Sequence, residues 1–153
     1  MGANLGELEA QRILKVRQSD TDRAAQQASN DRILCTEQPR FFGAMADDLE
    51  KTVGAFNLSM GLEGRDAVTF VHSGTQIQVG KRDRPFFLRK VMHYEHTREV
   101  VIRTTIIDGH KYQKDEQEKK WYFDIEGGEL RLNHNNFSQC ADLLFEGIPD
   151  TFR

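Results

Sequence analysis

Five large apolar side chains, Phe42, Met45, Leu49, Val53 and Phe56, recur at intervals of three, four, four and three residues. That spacing sets all five on one face of an α-helix, with Asp47, Asp48, Glu50 and Lys51 turned the other way. A stripe this continuous must cover apolar surface elsewhere in the chain. The residues before it offer little, since 17–32 contain no large apolar side chain at all. The partner must therefore lie in the segment that follows.

The front of the chain reads as helix of a different kind. Leu5, Leu8, Ile13, Leu14 and Val16 form a short, imperfect apolar stripe. Ala24, Ala25 and Ala28 are strong helix formers, and Ser19-Asp20-Thr21-Asp22 offers capping side chains for a helix start. Residues 1–32 are expected to be a polar helical extension able to meet another chain, and residues 33–153 a single α+β domain. Ile33 and Leu34 close the polar stretch. Pro39 suits the first turn of a new helix, because its missing N–H is not needed there. Asn57 and Gly61 bracket that helix's end.

Beyond Gly61 the pattern changes to period two. Val68–His72 and Thr75–Val79 flank Ser73-Gly74, a two-residue turn that would pair Phe70 with Ile77 and Val68 with Val79. A Gly127-Gly128 turn would likewise pair Ile125 with Leu130, Phe123 with Leu132 and Trp121 with His134. Between these hairpins, 86–94 and 98–107 are rich in β-branched and aromatic residues. An Asp108-Gly109 turn would set Ile106 against Lys111 and Thr105 against Tyr112, so the faces do not sort cleanly there. Lys114–Lys120 has no apolar residue and reads as a solvated turn or flared strand end. Ser138 is a good N-cap for a last helix carrying Ala141, Leu144, Phe145 and Ile148, which Pro149 ends. The fold class expected is α+β: N-terminal helices packed on an antiparallel meander of about six or seven strands, with a short C-terminal helix.

Charge and cysteine usage narrow the function classes. The formal charge of the 153 residues is −3, too mild for a dedicated nucleic-acid binder. It hides a local contrast, net +4 over 81–103 and net −4 over 104–153. Cys35 and Cys140 are far apart, each beside apolar neighbours, and are expected to be core thiols. The first residues lack the basic and apolar regions of a secretory leader, and no apolar run reaches the ~20 residues of a spanning helix, so the cytoplasm is the expected home.

Chemistry is harder to locate. His72, His93, His96, His110 and His134 fall near strand ends, but no His-Glu-x-x-His or Cys/His pair supports a metal site. No Gly-x-Ser-x-Gly elbow occurs. Gly80-Lys81 has neither the preceding glycine nor the following Ser or Thr of a phosphate loop. No catalytic residue, cofactor or metal is therefore expected, and the balance leans away from an enzyme.

Three functions are weighed. The leading one is a non-catalytic interaction or self-association domain, its partner an unknown protein or a second copy. The next is a small-molecule-binding or enzymatic domain with a pocket between sheet and helix, in which His93, Tyr94, Arg103 and Trp121 are the side chains of interest. The third is single-stranded nucleic-acid binding through a basic patch of Lys81, Arg82, Arg84, Arg89 and Lys90, interleaved with Phe86, Phe87 and Tyr94. Alternation favours core packing for those aromatics, so composition argues against nucleic acid, and nothing suggests a membrane partner.

Overall fold

A computed structural model of the chain describes residues 2–81, 86–108 and 113–152, the side chains of 2, 3, 86 and 113 excepted. The order is a helix α1 (Gly2–Met60), a 3-10 turn, strands β1 (Val68–His72), β2 (Gln76–Lys81), β3 (Phe86–Tyr94), β4 (Glu99–Asp108), β5 (Gln113–Glu126) and β6 (Glu129–Leu132), then helix α2 (Phe137–Phe145) and a second 3-10 turn. The six strands form one antiparallel sheet in sequence order. The protein is thus α+β, a long N-terminal helix that packs on a meander from Leu34 onward, with a short C-terminal helix. By contacts the chain divides into two compact units, Met1–Ile33 and Leu34–Arg153.

The described residues of the first unit are all helix. Leu5, Leu8, Ile13, Leu14 and Val16 are each 51–63% exposed. The second unit contains the core. There Phe42, Met45, Leu49 and Val53 are buried to between 0 and 4% exposure, and Phe56 is half-buried against the same cluster. Their partners are Ile77, Val79, Met92, Val100 and Phe123 from one face of the sheet, together with Cys140 and Leu144 of α2. Aromatic rings stitch the layers: Phe42 lies 5.1 Å from Tyr94, and Phe41 meets Phe123 edge-on at 5.4 Å.

Several local expectations are corrected. Pro39 does not begin a helix; it lies inside α1, as does Ser19–Asp22. Proline cannot donate to the carbonyl of Cys35, at a cost of about 3 kcal/mol in a helix interior. Burial outweighs that loss. Gln38, Phe41, Phe42 and Met45 all pack into the core, and the Tyr94 hydroxyl donates to Gln38 Oε1 at 3.0 Å. The end of α1 matches expectation in detail. Gly61, at φ +66°, donates to Leu58, and Leu62 donates to Asn57, which is the Schellman pattern. The Asn57 side chain then clamps both backbone groups of Val68 at the start of β1.

The first hairpin pairs Phe70 with Val79 and His72 with Ile77, two residues away from the expected register. Ser73 N–H donates to Gln76 O, closing a wider turn. A shift of two leaves every side chain on its original face, so the apolar sorting could not detect it. The Gly127-Gly128 hairpin pairs Ile125 with Leu130 and Phe123 with Leu132 as expected. Its ladder stops there: Trp121 pairs with Val100 on β4 instead of His134. Asn133 and His134 have positive φ, and the strand cannot continue through them. Strand β4 pairs Ile106 with Asp115 and Asp108 with Gln113, which rules out a two-residue Asp108-Gly109 turn; the connection itself lies outside the described residues. Residues 114–120 are neither turn nor flared end. They are β-strand, exposed throughout and held by the ladder to β4.

Helix α2 is capped by Asn136, not Ser138. Asn136 Oδ1 accepts from Gln139 N–H, and the Gln139 side chain accepts from Asn136 N–H, a reciprocal capping box.

Candidate functional site: the open face of the sheet

Period two divides each strand between the helix-covered face and an opposite, open face. On the covered side the core cluster lies between sheet and helix. The open face instead bears a polar groove of about 610 Å³, whose lining includes Gln76, Gln78, Arg89, His93, Arg103 and Thr105. Strand register arranges these as rows. Gly80, Arg89, Thr105 and Glu116 run side by side across β2 to β5, and Gln78, Val91, Arg103 and Glu118 form the next row. Gln76, His93, Val101 and Lys120 form the third.

Charges on the groove are mostly matched. Arg103 Nε lies 3.9 Å from Glu118, Lys114 is 3.2 Å from Glu116, and Lys120 is 3.1 Å from Glu99. These exposed pairs hold each other loosely. Arg89 differs. Its guanidinium sits 5.6 Å from the centroid of the Phe87 ring, and its Nε is shut off from solvent with no hydrogen-bond partner among the described residues. An unsatisfied buried donor costs ~1–3 kcal/mol, more when charged. Gly80 makes the position possible: a Cβ there would come within 2.5 Å of the Leu88 carbonyl and 3.0 Å of the Arg89 Cα. A second, smaller cleft of about 70 Å³, bordered by Thr69, Gln78, Gly80 and Phe87, reaches Arg89 from the other side.

The residues singled out from sequence fall on both sides of the sheet. His93 and Arg103 share the groove. Tyr94 does not: it is buried on the covered face, where burial, with a smaller contribution from Cys35, raises its phenol pKa. Trp121 packs partly buried against the same core. The basic patch also breaks up. Lys81 is buried, donates to Thr151 O at 2.7 Å and lies 4.2 Å over the Phe152 ring. Lys90 donates to the carbonyls of Leu143 and Glu146 at the C-terminal end of α2, where helix carbonyls favour a cation. Burial lowers the Lys90 pKa, partly opposed by Glu146. Arg89 alone remains on the open face; Arg82 and Arg84 lie outside the described residues.

The histidines scatter as well. His96, at φ +59°, rests 4.8 Å from the Tyr94 ring, and His72 lies 5.9 Å from Phe42. His134 is bound to Glu126, whose hydrogen bond and charge raise its pKa. His110 lies outside the described residues. Among the described residues no three metal-ligating side chains cluster. Burial pushes the Cys140 thiol up to about 12, consistent with a core thiol, whereas Cys35 is exposed, contrary to expectation. Cys35 follows buried Leu34, but the next residue on a helix points about 100° away.

Sequence inspection missed Gln76, Gln78, Thr105, Glu116 and Glu118 as neighbours of His93 and Arg103. A signal was present for the glutamines, which alternate with Ile77 and Val79 and so must face away from the core.

Compared with known protein families, with curated proteins and with solved structures, the chain finds no match. Among the described residues no helix is long and apolar enough to cross a membrane.

Proposed function

We propose that the protein is a non-catalytic association domain whose N-terminal helix pairs with the same helix of a second copy. The supporting observation is the exposure of Leu5, Leu8, Ile13 and Val16 on a unit that has no other element to cover them. On a helical wheel these four lie within one sector, with Glu9 and Arg12 between them, ion-paired at 3.4 Å. An isolated helix with such a stripe gains little in water and more against an apolar partner.

The choice of a second copy rests on the stripe's self-complementarity. In an antiparallel pair centred between Ala10 and Gln11, Leu5 faces Val16 of the other chain, Leu8 faces Ile13, and Glu9 faces Arg12. A parallel, in-register pair would instead set Glu9 on Glu9 and Arg12 on Arg12. A two-fold axis makes each of the antiparallel contacts twice.

Sedimentation equilibrium of the full chain tests this. A concentration-dependent dimer is expected, weakened at least about tenfold by Leu8→Asp. Glu9→Arg alone should weaken it, and Glu9→Arg combined with Arg12→Glu should restore it. A monomer at every concentration, or a dimer indifferent to all three variants, overturns the proposal.

A further inference from the structure

We propose that the open face of the sheet binds a small organic anion, held at its carboxylate or phosphate by Arg89. This stands independently of the helix pairing, since it uses only residues of the second unit.

Three observations converge on Arg89. It borders both the groove of about 610 Å³ and the cleft of about 70 Å³, so its side chain stands between two openings. Its Nε, closed to solvent as the side chain stands, lacks a hydrogen-bond partner among the described residues, and a turn of the guanidinium toward the groove would present it to an acceptor. The guanidinium fork offers Nε and a terminal nitrogen together, the geometry that takes two oxygens of one carboxylate or phosphate. Phe87, 5.6 Å away, supports the guanidinium, so less rotamer freedom is lost on binding.

The neighbouring groups suit an anionic end on a polar body because the two carboxylates that also line the groove, Glu116 and Glu118, are paired with Lys114 and Arg103. Thr105 is the register partner of Arg89, buried at the floor of the groove, and supplies a hydroxyl beside it. Arg103, one row away, adds positive charge, and its own carboxylate partner Glu118 is 3.9 Å distant and exposed. Gln76 and Gln78 supply amide donors and acceptors along the groove for hydroxyls or amides of the ligand. A groove of this size holds a metabolite-sized molecule.

The test follows the arginine Nε–H resonances of the ¹⁵N-labelled full chain, at constant ionic strength. The probes are ribose 5-phosphate, inorganic phosphate and citrate, with neutral ribose as control. The Arg89 resonance should shift saturably with an anion and not with ribose. A response to the phosphates alone assigns a phosphate ligand, and a response to citrate alone assigns a carboxylate. Arg89→Gln should abolish binding at the groove. Thr105→Glu, which sets a carboxylate beside Arg89 in the chain itself, should weaken anion binding at least about tenfold. This second variant keeps the test decisive if Arg89→Gln does not fold. Absence of a saturable shift with every anion, or binding that survives both substitutions, overturns the proposal.

Discussion

Helix α1 carries two apolar stripes of similar composition and opposite fate. Leu5, Leu8, Ile13 and Val16 are more than half exposed, while Phe42, Met45, Leu49 and Val53 are almost wholly buried. Helical propensity does not separate them, because both lie in regular α-helix. The difference is the second layer: the later stripe has a six-stranded sheet to cover it, and the first unit contains no sheet. Amphipathicity therefore marks where burial is required, and only the surrounding chain decides whether it is met within one molecule.

The widest contrast should come from truncating one leucine in each stripe. Leu49→Ala removes a fully buried side chain and is expected to cost ~2–5 kcal/mol in denaturant unfolding. Leu8→Ala, at a site 58% exposed, should change the unfolding of the monomer by less than about 0.5 kcal/mol and lower dimer affinity instead. Equal effects would erase the distinction between the two stripes.

Glycines sharpen the same comparison. Gly80→Ala drives a Cβ into the Leu88 carbonyl, a backbone atom that cannot step aside, and should destabilise by ~1–3 kcal/mol. Gly6→Ala meets open space on the first unit and should gain ~0.5–1 kcal/mol of helix stability, read as increased helical ellipticity.

Thiol reactivity compares surface with interior directly. In the folded protein Cys35 should react with an aromatic disulfide reagent at once, and Cys140 only on unfolding, since burial raises its pKa to about 12. Simultaneous modification of both would show that the core around α2 opens readily.

The smallest effect concerns His134. Glu126 raises its folded pKa above the usual 6.5, so the pair's contribution is full below that value and fades as pH rises through the raised one. Glu126→Gln should return the NMR titration midpoint of His134 toward 6.5 with little change in melting temperature, because the site is exposed.

The sheet shows how far a sequence can be read and where it stops. Alternation correctly placed Ile77, Val79, Phe123 and Leu132 on the core face. It could not choose between first-hairpin registers two residues apart, since both bury the same side chains. Strand β5 was hidden for a related reason: 114–120 is solvated on both faces, so no apolar signal announces a strand that the β4 ladder holds in place. Among the site residues, His93, Tyr94, Arg103 and Trp121 were expected together between sheet and helix, but register sets His93 and Arg103 on the open face and Tyr94 and Trp121 on the covered one. For Tyr94 the rule that neighbours on a strand face opposite ways was enough to object.

Sequence alone determined most element types, with 114–120 and the helix boundary at Pro39 the exceptions, together with the helical stripe from Phe42 to Phe56 and the side of the core for most strand residues. Local periodicity carries that information because side-chain direction is set by backbone geometry. Tertiary structure decided the rest: that α1 continues through Pro39, that Lys81 and Lys90 serve the C-terminal segment, and that Arg89 stands by Thr105 with an Nε that has no partner among the described residues. Those outcomes depend on which distant residues arrive beside them, and packing energies of several kcal/mol override local preferences of one to three.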